Sequence, residues 1–349
     1  MPDAALLAGN SPVPMVSIIT PTYNRPDLLR EAIGSVLNQS FDDWEMLIVD
    51  DGSEPGAHPV VDGFADPRLR YVRLGHVGRS AARNRGLELA RGMYIGFLDD
   101  DDLYHPDKLA REISFLCAHP GVDIVGSGYR AVGKMGEVLK TYENWTVKPE
   151  INRENCLFGV PLATCSVLIA RKAIQSMDRW FDPALDLWED SDFFRRLFLT
   201  GIRFAWLREV LSDYRLIHDR SWSVILDVQR TGRRALGKLF ETEDLPPELA
   251  GQRQDALVKF DLDYAWMAYL YGAENLGQRS MLQALVREPR LADQRADVVL
   301  GELATYSQRI EDPDSYIDYV LSHLPSPLCH LADRGEEVKA LVVSRAGLA

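Results

Sequence analysis

Short apolar runs alternate with helical patterns over roughly the first hundred residues of the chain. Four runs rich in β-branched and aromatic residues predict strands at Val16–Thr20, Trp44–Val49, Leu69–Leu74 and Met93–Leu98. A helical pattern follows Pro26, which suits the first turn of a helix, and another covers Ser80–Arg91 before Gly92. Strands that alternate with helices in this way are typical of an α/β fold with a mainly parallel, doubly wound sheet.

The pattern changes twice after this region. Between residues 121 and 225 it is mixed, with strands predicted at Val122–Val125 and Cys165–Ile169 and an amphipathic helix at Asp190–Leu199. Beyond about Ser223, helical segments follow one another at Val224–Phe240, Gln254–Tyr271, Gln278–Val286, Arg295–Ile310, Ser315–Leu324 and Glu336–Val343. We therefore expect three parts: a flexible tail at 1–14, an α/β domain at 15–225 and an α-helical C-terminal region at 226–349.

Three of the predicted strands end in polar turns, which are Thr22–Asn24, Asp50–Asp51 and Asp99–Asp102. In open α/β sheets, ligands bind beyond the carboxyl ends of the strands, so we expect the three turns to line one site. The last turn consists of four consecutive aspartates. Carboxylates crowded at the end of a buried strand raise one another's pKa and require a cation, and oxygen ligands favour Mg²⁺ or Mn²⁺. Taken alone, the four aspartates are also compatible with an ordinary acidic turn exposed to solvent.

The composition narrows the function classes. A formal charge of −13 argues against a nucleic-acid partner, because phosphate contacts require clustered Lys and Arg. Four cysteines without C-x-x-C spacing fit reduced thiols, and we expect a cytoplasmic protein. No window has the roughly 18 apolar residues needed for a transmembrane segment, and the N-terminal stretch lacks the basic residues of a signal peptide. Peripheral attachment to the inner face of the membrane stays open.

Six short motifs together resemble the inverting glycosyltransferases of family 2, which have the GT-A fold. The motifs are Val16–Arg25, Leu47–Ser53, Ala82–Gly86, Phe97–Asp102, Trp188–Asp192 and Tyr214–His218. They occur in the family's order and at its approximate spacing, over roughly residues 15 to 225. The resemblance implies a Rossmann-like GT-A sheet. It also implies a metal-dependent enzyme that moves a sugar from a nucleotide diphosphate, with UDP as the expected nucleotide, to an acceptor hydroxyl in glycan or polysaccharide biosynthesis.

The resemblance also assigns the metal site. Asp99 and Asp101 match the family's D-x-D pair, with Asp101 as the most direct ligand of Mn²⁺ or Mg²⁺. Asp99 or Asp100 would reach the ribose or the waters of the metal, and Asp102 stays without a role. His218 stands where related enzymes often carry a histidine that ligates the metal or touches the diphosphate, and a structural role is its alternative.

For the nucleotide, the resemblance implies that Asp51 accepts a hydrogen bond from the base, which suits uracil or thymine. An ordinary Asp-Gly turn is the alternative for Asp51. Arg83 would meet the diphosphate, because a guanidinium matches phosphate geometry and always carries charge. The wall of the nucleotide pocket would consist of Thr20, Pro21, Tyr23 and Arg25.

On the acceptor side, the resemblance implies that Asp190 takes the proton of the acceptor hydroxyl, with Glu189 supporting it. A single base opposite the leaving group produces in-line displacement with inversion. Trp188 occupies a position where the family often has glycine. Its indole either stacks on a sugar ring of the acceptor or belongs to the core, and both interpretations stay open.

Other functions remain as alternatives. A catalytically degenerate fold could serve as a binding or assembly module, although the intact carboxylate pairs argue against it. A sugar nucleotidyltransferase usually needs a Gly- and Lys-rich phosphate loop, which is missing between Thr20 and Arg30. A nicotinamide-dependent enzyme is disfavoured because no G-x-G-x-x-G follows the first strand. The donor sugar stays open, and so does the acceptor: a polysaccharide, a lipid-linked glycan, a peptide and a small molecule are all compatible with the sequence. The apolar C-terminal helices lead us to expect a homodimer.

Overall fold

A computed structural model describes residues 13–185, 187–216, 222–242, 245–307, 310 and 312–346. By packing, the chain divides into two compact units. The first, here called the sheet unit, comprises residues 1–145, 161–186 and 200–217. The second, here called the helical unit, comprises residues 146–160, 187–199 and 218–349.

The described part of the sheet unit contains a sheet of nine strands. In chain order these are β1 (Val16–Thr22), β2 (Trp44–Asp50), β3 (Leu69–Arg73), β4 (Tyr94–Phe97), β5 (Leu103–Tyr104), β6 (Ile124–Val132), β7 (Val138–Tyr142), β8 (Val167–Ala170) and β9 (Phe204–Arg215). The strand order across the sheet is β3-β2-β1-β4-β8-β6-β9-β5, with β7 paired to β6. The strands β1 to β4 are parallel, as their alternation with helices predicts, whereas β8 is antiparallel to β4 and begins a mixed half.

The register of the parallel half brings three strand ends to one edge. Thr22 at the end of β1 lies opposite Asp50 at the end of β2, and Ile19 in β1 pairs with Phe97 at the end of β4. The polar turns that follow β1, β2 and β4 therefore share the carboxyl edge of the sheet. This confirms the expectation that the three turns lie together.

Five helices belong to the sheet unit within the described residues: α1 (Pro26–Leu37), α2 (His58–Asp62), α3 (Arg79–Leu89), α4 (Lys108–Ala118) and α5 (Arg171–Gln175). Helix α1 begins at Pro26, as predicted, and buries Leu29, Ile33 and Val36 in the hydrophobic core of this unit. Helix α4 was not predicted. Its buried side includes the ion pair between Lys108 and Glu112, whose charges interrupt the apolar spacing that identifies a helix in a sequence.

The mixed half of the sheet differs most from the sequence prediction. Strand β6 continues to Val132 instead of ending at Val125, and β9 was not predicted at all. Polar residues in these strands have partners inside the fold: Ser127 donates to Glu112 at 3.0 Å, and Arg130 forms an ion pair with Asp213. Such internal pairing allows strands without a clean apolar alternation.

The described part of the helical unit contains α6 (Glu189–Leu199), α7 (Trp222–Leu239), α8 (Pro247–Ala250), α9 (Arg253–Leu270), α10 (Glu274–Arg287), α11 (Ala296–Ser307), α12 (Pro313–Ser322) and α13 (Gly335–Ala346). Its core is built around Trp266 and Tyr269 of α9, which pack with Met281, Leu303 and Ile317. The predicted helices agree with these elements within a few residues, except for the short α8. No helix among the described residues is both long enough and apolar enough to cross a bilayer.

The division into units places two segments differently from the sequence interpretation. Residues 146–160 and 187–199 lie inside the predicted α/β domain of 15–225, but they pack with the helices of 218–349. The second segment carries Trp188, Glu189 and Asp190, so the proposed acceptor-side residues belong to the helical unit.

Candidate functional site

The four aspartates form a turn directly after β4. The backbone N–H of Leu98 still donates to the carbonyl oxygen of Ile19, so the chain leaves the sheet only at Asp99. A hydrogen bond from the N–H of Asp102 to the carbonyl oxygen of Asp99 closes the turn at 3.1 Å. The four carboxylates are thereby held at the carboxyl edge of the sheet, where α/β sheets bind ligands.

Two arginines hold three of these carboxylates. Arg25, immediately before α1, donates from Nη1 to Asp100 at 3.1 Å and to Asp101 at 2.9 Å. Arg83 in α3 is almost fully buried and donates from Nη2 to both oxygens of Asp99, at 2.7 and 2.9 Å. The structure thus brings both predicted arginines to the aspartates, while their contact with a nucleotide stays a prediction.

Asp102 differs from the other three aspartates. Its Oδ1 accepts a hydrogen bond from the backbone N–H of Arg215 at 2.9 Å, whereas its buried Oδ2 accepts no N–H or O–H hydrogen bond within the described part of the chain. Burial raises the pKa of Asp102 well above its ordinary value, and the charges of Asp101 and Asp99 add to the effect, while the N–H of Arg215 and the thiol of Cys165 oppose it. A buried, unpartnered carboxylate oxygen is costly unless a cation compensates it.

A cation fits the carboxylates of this turn. Asp99, Asp101 and Asp102 each offer one oxygen, and these oxygens lie within 4.8 Å of one another. Carboxylate oxygens are the donors that Mg²⁺ and Mn²⁺ prefer. The group contains two of the three predicted ligands, Asp99 and Asp101, and adds Asp102, which the sequence analysis left without a role. His218, the remaining predicted ligand, lies outside the described residues.

Asp100 anchors the turn to the end of β1. Its carboxylate accepts a hydrogen bond from the hydroxyl of Thr22 at 2.7 Å, in addition to the bond from Arg25. Burial raises the pKa of Asp100 to about 6, the Thr22 hydroxyl opposes this shift, and the neighbouring Asp101 adds to it. Its predicted contact with the nucleotide or the waters of a metal stays a prediction.

Asp51 organises a second part of the same edge. It is buried after β2, and its carboxylate accepts hydrogen bonds from the backbone N–H groups of Val77 at 2.7 Å and Gly78 at 2.9 Å. The ring of His76 stacks on Tyr23 with 4.3 Å between centroids. Gly52, directly after Asp51, has a φ of +87°, and a Cβ at this position would lie 2.8 Å from the backbone nitrogen of His76. The sequence predicted Asp51 and Tyr23 for this edge but gave no signal for His76.

Thr20 and Pro21 lie inside β1. Both are buried, and the hydroxyl of Thr20 has no hydrogen-bond partner among the described residues. The structure therefore places them in the buried last part of β1, near the carboxyl edge of the sheet. Their predicted contact with the nucleotide stays a prediction.

Asp190 and Glu189 begin helix α6 in the helical unit. Glu189 is buried, whereas Asp190 is partly exposed and its Oδ1 accepts a hydrogen bond from the N–H of Ser191 at 2.6 Å. The positive end of the helix dipole favours carboxylates at this position. A partly exposed carboxylate at a fixed helix start can accept a proton from a bound hydroxyl, so the geometry is compatible with the predicted base.

Trp188 packs inside the helical unit. Its φ is +68°, its ring meets Phe260 edge-on at 5.5 Å, and the guanidinium of Arg195 lies 4.3 Å from the ring centroid. On α7, a Cβ at Gly232 would approach the ring to 3.0 Å. These contacts agree with the core interpretation of Trp188, and stacking on an acceptor sugar stays a prediction.

The family model that matches this chain is that of glycosyl transferase family 2, over residues 17–175. An uncharacterized glycosyltransferase of Rickettsia prowazekii (strain Madrid E), RP339, is 30% identical over 242 residues, which are 66% of this chain and 70% of that protein. The chain belongs to glycosyltransferase family 2. Its homologues and its family thus identify it as a glycosyltransferase.

A second relative is TuaG of Bacillus subtilis (strain 168), described as a teichuronic acid biosynthesis glycosyltransferase. It is 29% identical over 232 residues, which are 62% of this chain and 89% of TuaG. Both similarities cover only part of each chain, so they support the class of reaction and leave the substrates to be proposed.

Two solved structures have a similar fold. S. aureus TarS 1-349 in complex with UDP-GlcNAc has a TM-score of 0.55 and 17% identity, with 95% of this chain and 88% of TarS 1-349 covered. The mannosyltransferase PcManGT of Pyrobaculum calidifontis, in complex with GDP-Man and Mn²⁺, has a TM-score of 0.56 and 18% identity, with 95% and 87% covered. These similarities confirm the GT-A fold class of this glycosyltransferase.

Proposed function

We propose that this glycosyltransferase binds Mg²⁺ or Mn²⁺ and a UDP-sugar, and transfers the sugar with inversion to a hydroxyl of a glycan acceptor. The observation that carries the proposal is the group of Asp99, Asp101 and Asp102, with its unpartnered buried oxygen on Asp102. Three carboxylates at the carboxyl edge of the sheet have an excess of negative charge that a divalent ion would balance. The Mn²⁺ in the PcManGT structure supports the same choice of ion.

The arginines of the site supply the second part of the donor chemistry. A divalent ion, when bound, would neutralise charge on the leaving diphosphate. Arg25 and Arg83, which now donate to the aspartates, carry guanidinium groups suited to phosphate oxygens. We propose that they bind the diphosphate once a cation takes over the carboxylates.

The choice of UDP rests on Asp51 and on TarS. A carboxylate oxygen accepts the N3–H of uracil, and Asp51 keeps acceptor capacity beyond its two backbone hydrogen bonds. Tyr23 and His76 offer aromatic surface beside it. TarS has been solved with UDP-GlcNAc, which supports a uridine donor, while the GDP-Man of PcManGT makes guanosine donors the competing class.

For the transfer step, we propose that Asp190 accepts the proton of the acceptor hydroxyl as that oxygen attacks the anomeric carbon. The bond from the anomeric carbon to the diphosphate oxygen breaks on the opposite face, which inverts the configuration. Glu189 holds the start of α6 from its buried position. The name of TuaG supports a polysaccharide acceptor over the lipid-linked and peptide alternatives.

Three further expectations stay proposals. They rest on the sequence interpretation alone. They are the domain limits of 15–225 and 226–349, the cytoplasmic location with peripheral membrane attachment as its alternative, and the homodimer through the C-terminal helices.

The donor and metal assignments can be tested by titrating UDP and UDP-sugars with and without Mn²⁺. We expect Mn²⁺ to tighten UDP binding to the wild-type protein, and Asp101→Ala to reduce that gain at least tenfold. Asp62→Ala, which removes an exposed carboxylate of the same unit, is the matched control and should behave as wild type. An unchanged Mn²⁺ effect in Asp101→Ala would refute the metal site. Tight UDP binding without sugar transfer to any acceptor would instead favour the degenerate binding module.

A further inference from the structure

A groove between α7 and α10 of the helical unit has no role in the function proposed so far. It contains two adjoining cavities of about 490 Å³ and 350 Å³, which share Leu226 and Arg279 in their linings. Volumes of this size are in the range of small-molecule sites, roughly 300–1,000 Å³. The groove is therefore large enough for one or two sugar residues of a longer chain.

The smaller cavity is lined by four arginines. Arg230, Arg233 and Arg234 come from α7, and Arg279 comes from α10. On α7, Arg230 stands three and four residues before the other two, and like charges at this spacing destabilise a helix by tenths of a kcal/mol. In a chain with a formal charge of −13, this concentration of positive charge in a cavity indicates an anionic ligand.

Among the acidic residues around the groove, Glu274 lines the larger cavity and accepts a hydrogen bond from the hydroxyl of Tyr319. The remaining acidic residues do not balance the four arginines. Arg233 bonds to the buried Asp261, but that carboxylate is shared with Arg287. Arg230 lies 3.7 Å from Asp227, and both side chains are largely exposed, so this pair contributes little.

Two of the groove's arginines have no acidic partner among the residues that the structure describes. In the part of the chain that the structure describes, no carboxylate lies within 4.0 Å of the guanidinium nitrogens of Arg234 or Arg279. They stand on different helices and line the same cavity. Both arginines are exposed, and guanidinium groups that line one cavity without a carboxylate partner among the described residues are suited to a carboxylate or a phosphate.

The larger cavity complements this charge. Its lining combines the apolar side chains of Leu226, Ala273 and Leu276 with the polar side chains of Glu274 and Asn275. Apolar surface beside hydrogen-bonding groups is what a sugar ring requires, because its faces are apolar and its rim carries hydroxyls. The two cavities together match a saccharide that carries an acidic group.

Helix α7 connects the groove to the proposed base. Gly232 of α7 faces Trp188 and Phe260, and Trp188 immediately precedes α6 with Asp190. The arginines at 230, 233 and 234 flank this glycine on the same helix. The groove and the proposed base are thus parts of one packed unit.

We propose that this groove binds the carboxylate or phosphate groups of an acidic acceptor glycan. The proposal rests on the proposed sugar transfer for the identity of the ligand as an acceptor. It assigns Arg234 and Arg279 as specificity residues for acidic glycans, with Leu226 and Leu276 in contact with sugar rings.

The test measures binding by calorimetry with neither donor nor metal, using three probes: polygalacturonate, phosphomannan and neutral dextran. We expect wild type to bind polygalacturonate, phosphomannan or both, with an affinity that falls as salt rises, and not to bind dextran. Which of the two anionic polymers binds identifies carboxylate or phosphate as the recognised group. The double variant Arg234→Gln/Arg279→Gln should bind at least tenfold more weakly.

The control is Arg253→Gln, which removes an exposed arginine of the same unit that lies outside the groove. This variant should bind the probes as wild type does, and all variants should keep the wild-type thermal midpoint. Binding of neither anionic polymer, or equal binding by the double variant, would overturn the proposal. Groove-dependent binding to anionic lipid vesicles without glycan binding would also overturn it, in favour of a membrane contact.

The design separates this inference from the proposed function. Asp190→Asn and Asp101→Ala should bind the glycan probes like wild type, because neither residue lines the groove. If those probes bind while sugar transfer from UDP-sugars fails, the groove is supported and the proposed function is refuted.

Discussion

Two local clusters of this glycosyltransferase, one in each unit, carry charge imbalances of opposite sign, although the whole chain is acidic with a formal charge of −13. In the sheet unit, four consecutive aspartates share two arginines, and one buried oxygen of Asp102 has no partner among the described residues. In the helical unit, the buried Asp261 is shared by Arg233 and Arg287 beside a groove with further arginines. Unbalanced charge lowers stability, so its sign indicates what each region binds: a cation in the first and an anionic group in the second.

The largest expected effect is the loss of turnover when the proposed base in the helical unit is removed, while donor binding at the sheet unit is kept. Asp190→Asn should lower kcat by about 10³-fold, because the amide cannot accept the proton of the acceptor hydroxyl. Donor binding with Mn²⁺, measured by titration, should remain as in wild type. Asp255→Asn, which changes an exposed aspartate of the same unit outside the groove, is the control. Turnover within threefold of wild type would remove Asp190 as the base.

The next effect concerns the core that supports the groove. Trp266 is fully buried, and Trp266→Ala should lower the free energy of unfolding by about 4 kcal/mol through lost burial and a cavity. Trp266→Phe should cost less because it keeps most of the ring volume. Urea unfolding measures both variants. If Trp266→Ala lowered the free energy of unfolding by less than about 1 kcal/mol, the core around Trp266 would not determine the unfolding transition that urea induces.

The free energy of unfolding should depend on pH through Lys148, a largely buried cation of the helical unit. Lys148 donates to the carbonyl oxygens of Asn155 and Gly159, and burial, followed by the charge of Arg195, lowers its pKa to about 8 from 10.5. Between these values the unfolded chain binds more protons than the folded one, so Lys148 makes stability rise with pH, by roughly 3 kcal/mol in total.

The measurement compares wild type with Lys148→Met in urea unfolding at pH 7.5, 9 and 10.5. The difference between the two proteins should move in favour of wild type as pH rises, since the neutral amine no longer carries the cost of burial. A difference that stays constant over this range would contradict the lowered pKa of Lys148.

The smallest effect tests the imbalance of the aspartate turn directly. Without metal, Asp102→Asn should raise the free energy of unfolding by about 1 kcal/mol, because it removes a buried charge. The same variant should lose most of the stabilisation that Mn²⁺ gives to wild type. Thermal unfolding with and without Mn²⁺ measures both quantities. Relative to wild type, Asp102→Asn should be more stable without Mn²⁺ and less stable with it. A variant that is less stable in both conditions would contradict the role of Asp102.

The sequence predicted the parts of the fold that repeat a simple pattern. The strands β1 to β4 and the helix that begins at Pro26 follow clear apolar spacing, and the GT-A fold class is confirmed. Helix α4 and strand β9 were missed because buried pairs such as Lys108 with Glu112 put charges at core positions. Their compatibility with the core depends on contacts between residues far apart in the chain, which local patterns do not contain.

The same limit applies to the site. Neighbouring residues identified the aspartate turn, and the strand ends predicted its place beside Asp51. The inclusion of Asp102 depends on the backbone of Arg215, more than a hundred residues away, and the ring of His76 beside Tyr23 depends on the loop before α3. The roles of Asp99, Asp101, Asp190 and the other predicted site residues stay predictions until the variants are measured.

The bonds from Arg25 and Arg83 to the aspartates also bear on how the protein reaches its working state. Because two side chains of the chain itself already compensate three of the four carboxylates, the turn can fold during synthesis before any divalent ion arrives. Loading of the proposed metal is then an exchange of one cation for another. The affinity for the ion is consequently set by how much more strongly the carboxylates interact with the ion than with the arginines. Substitutions at Arg25 would change this affinity without altering a ligand of the proposed metal.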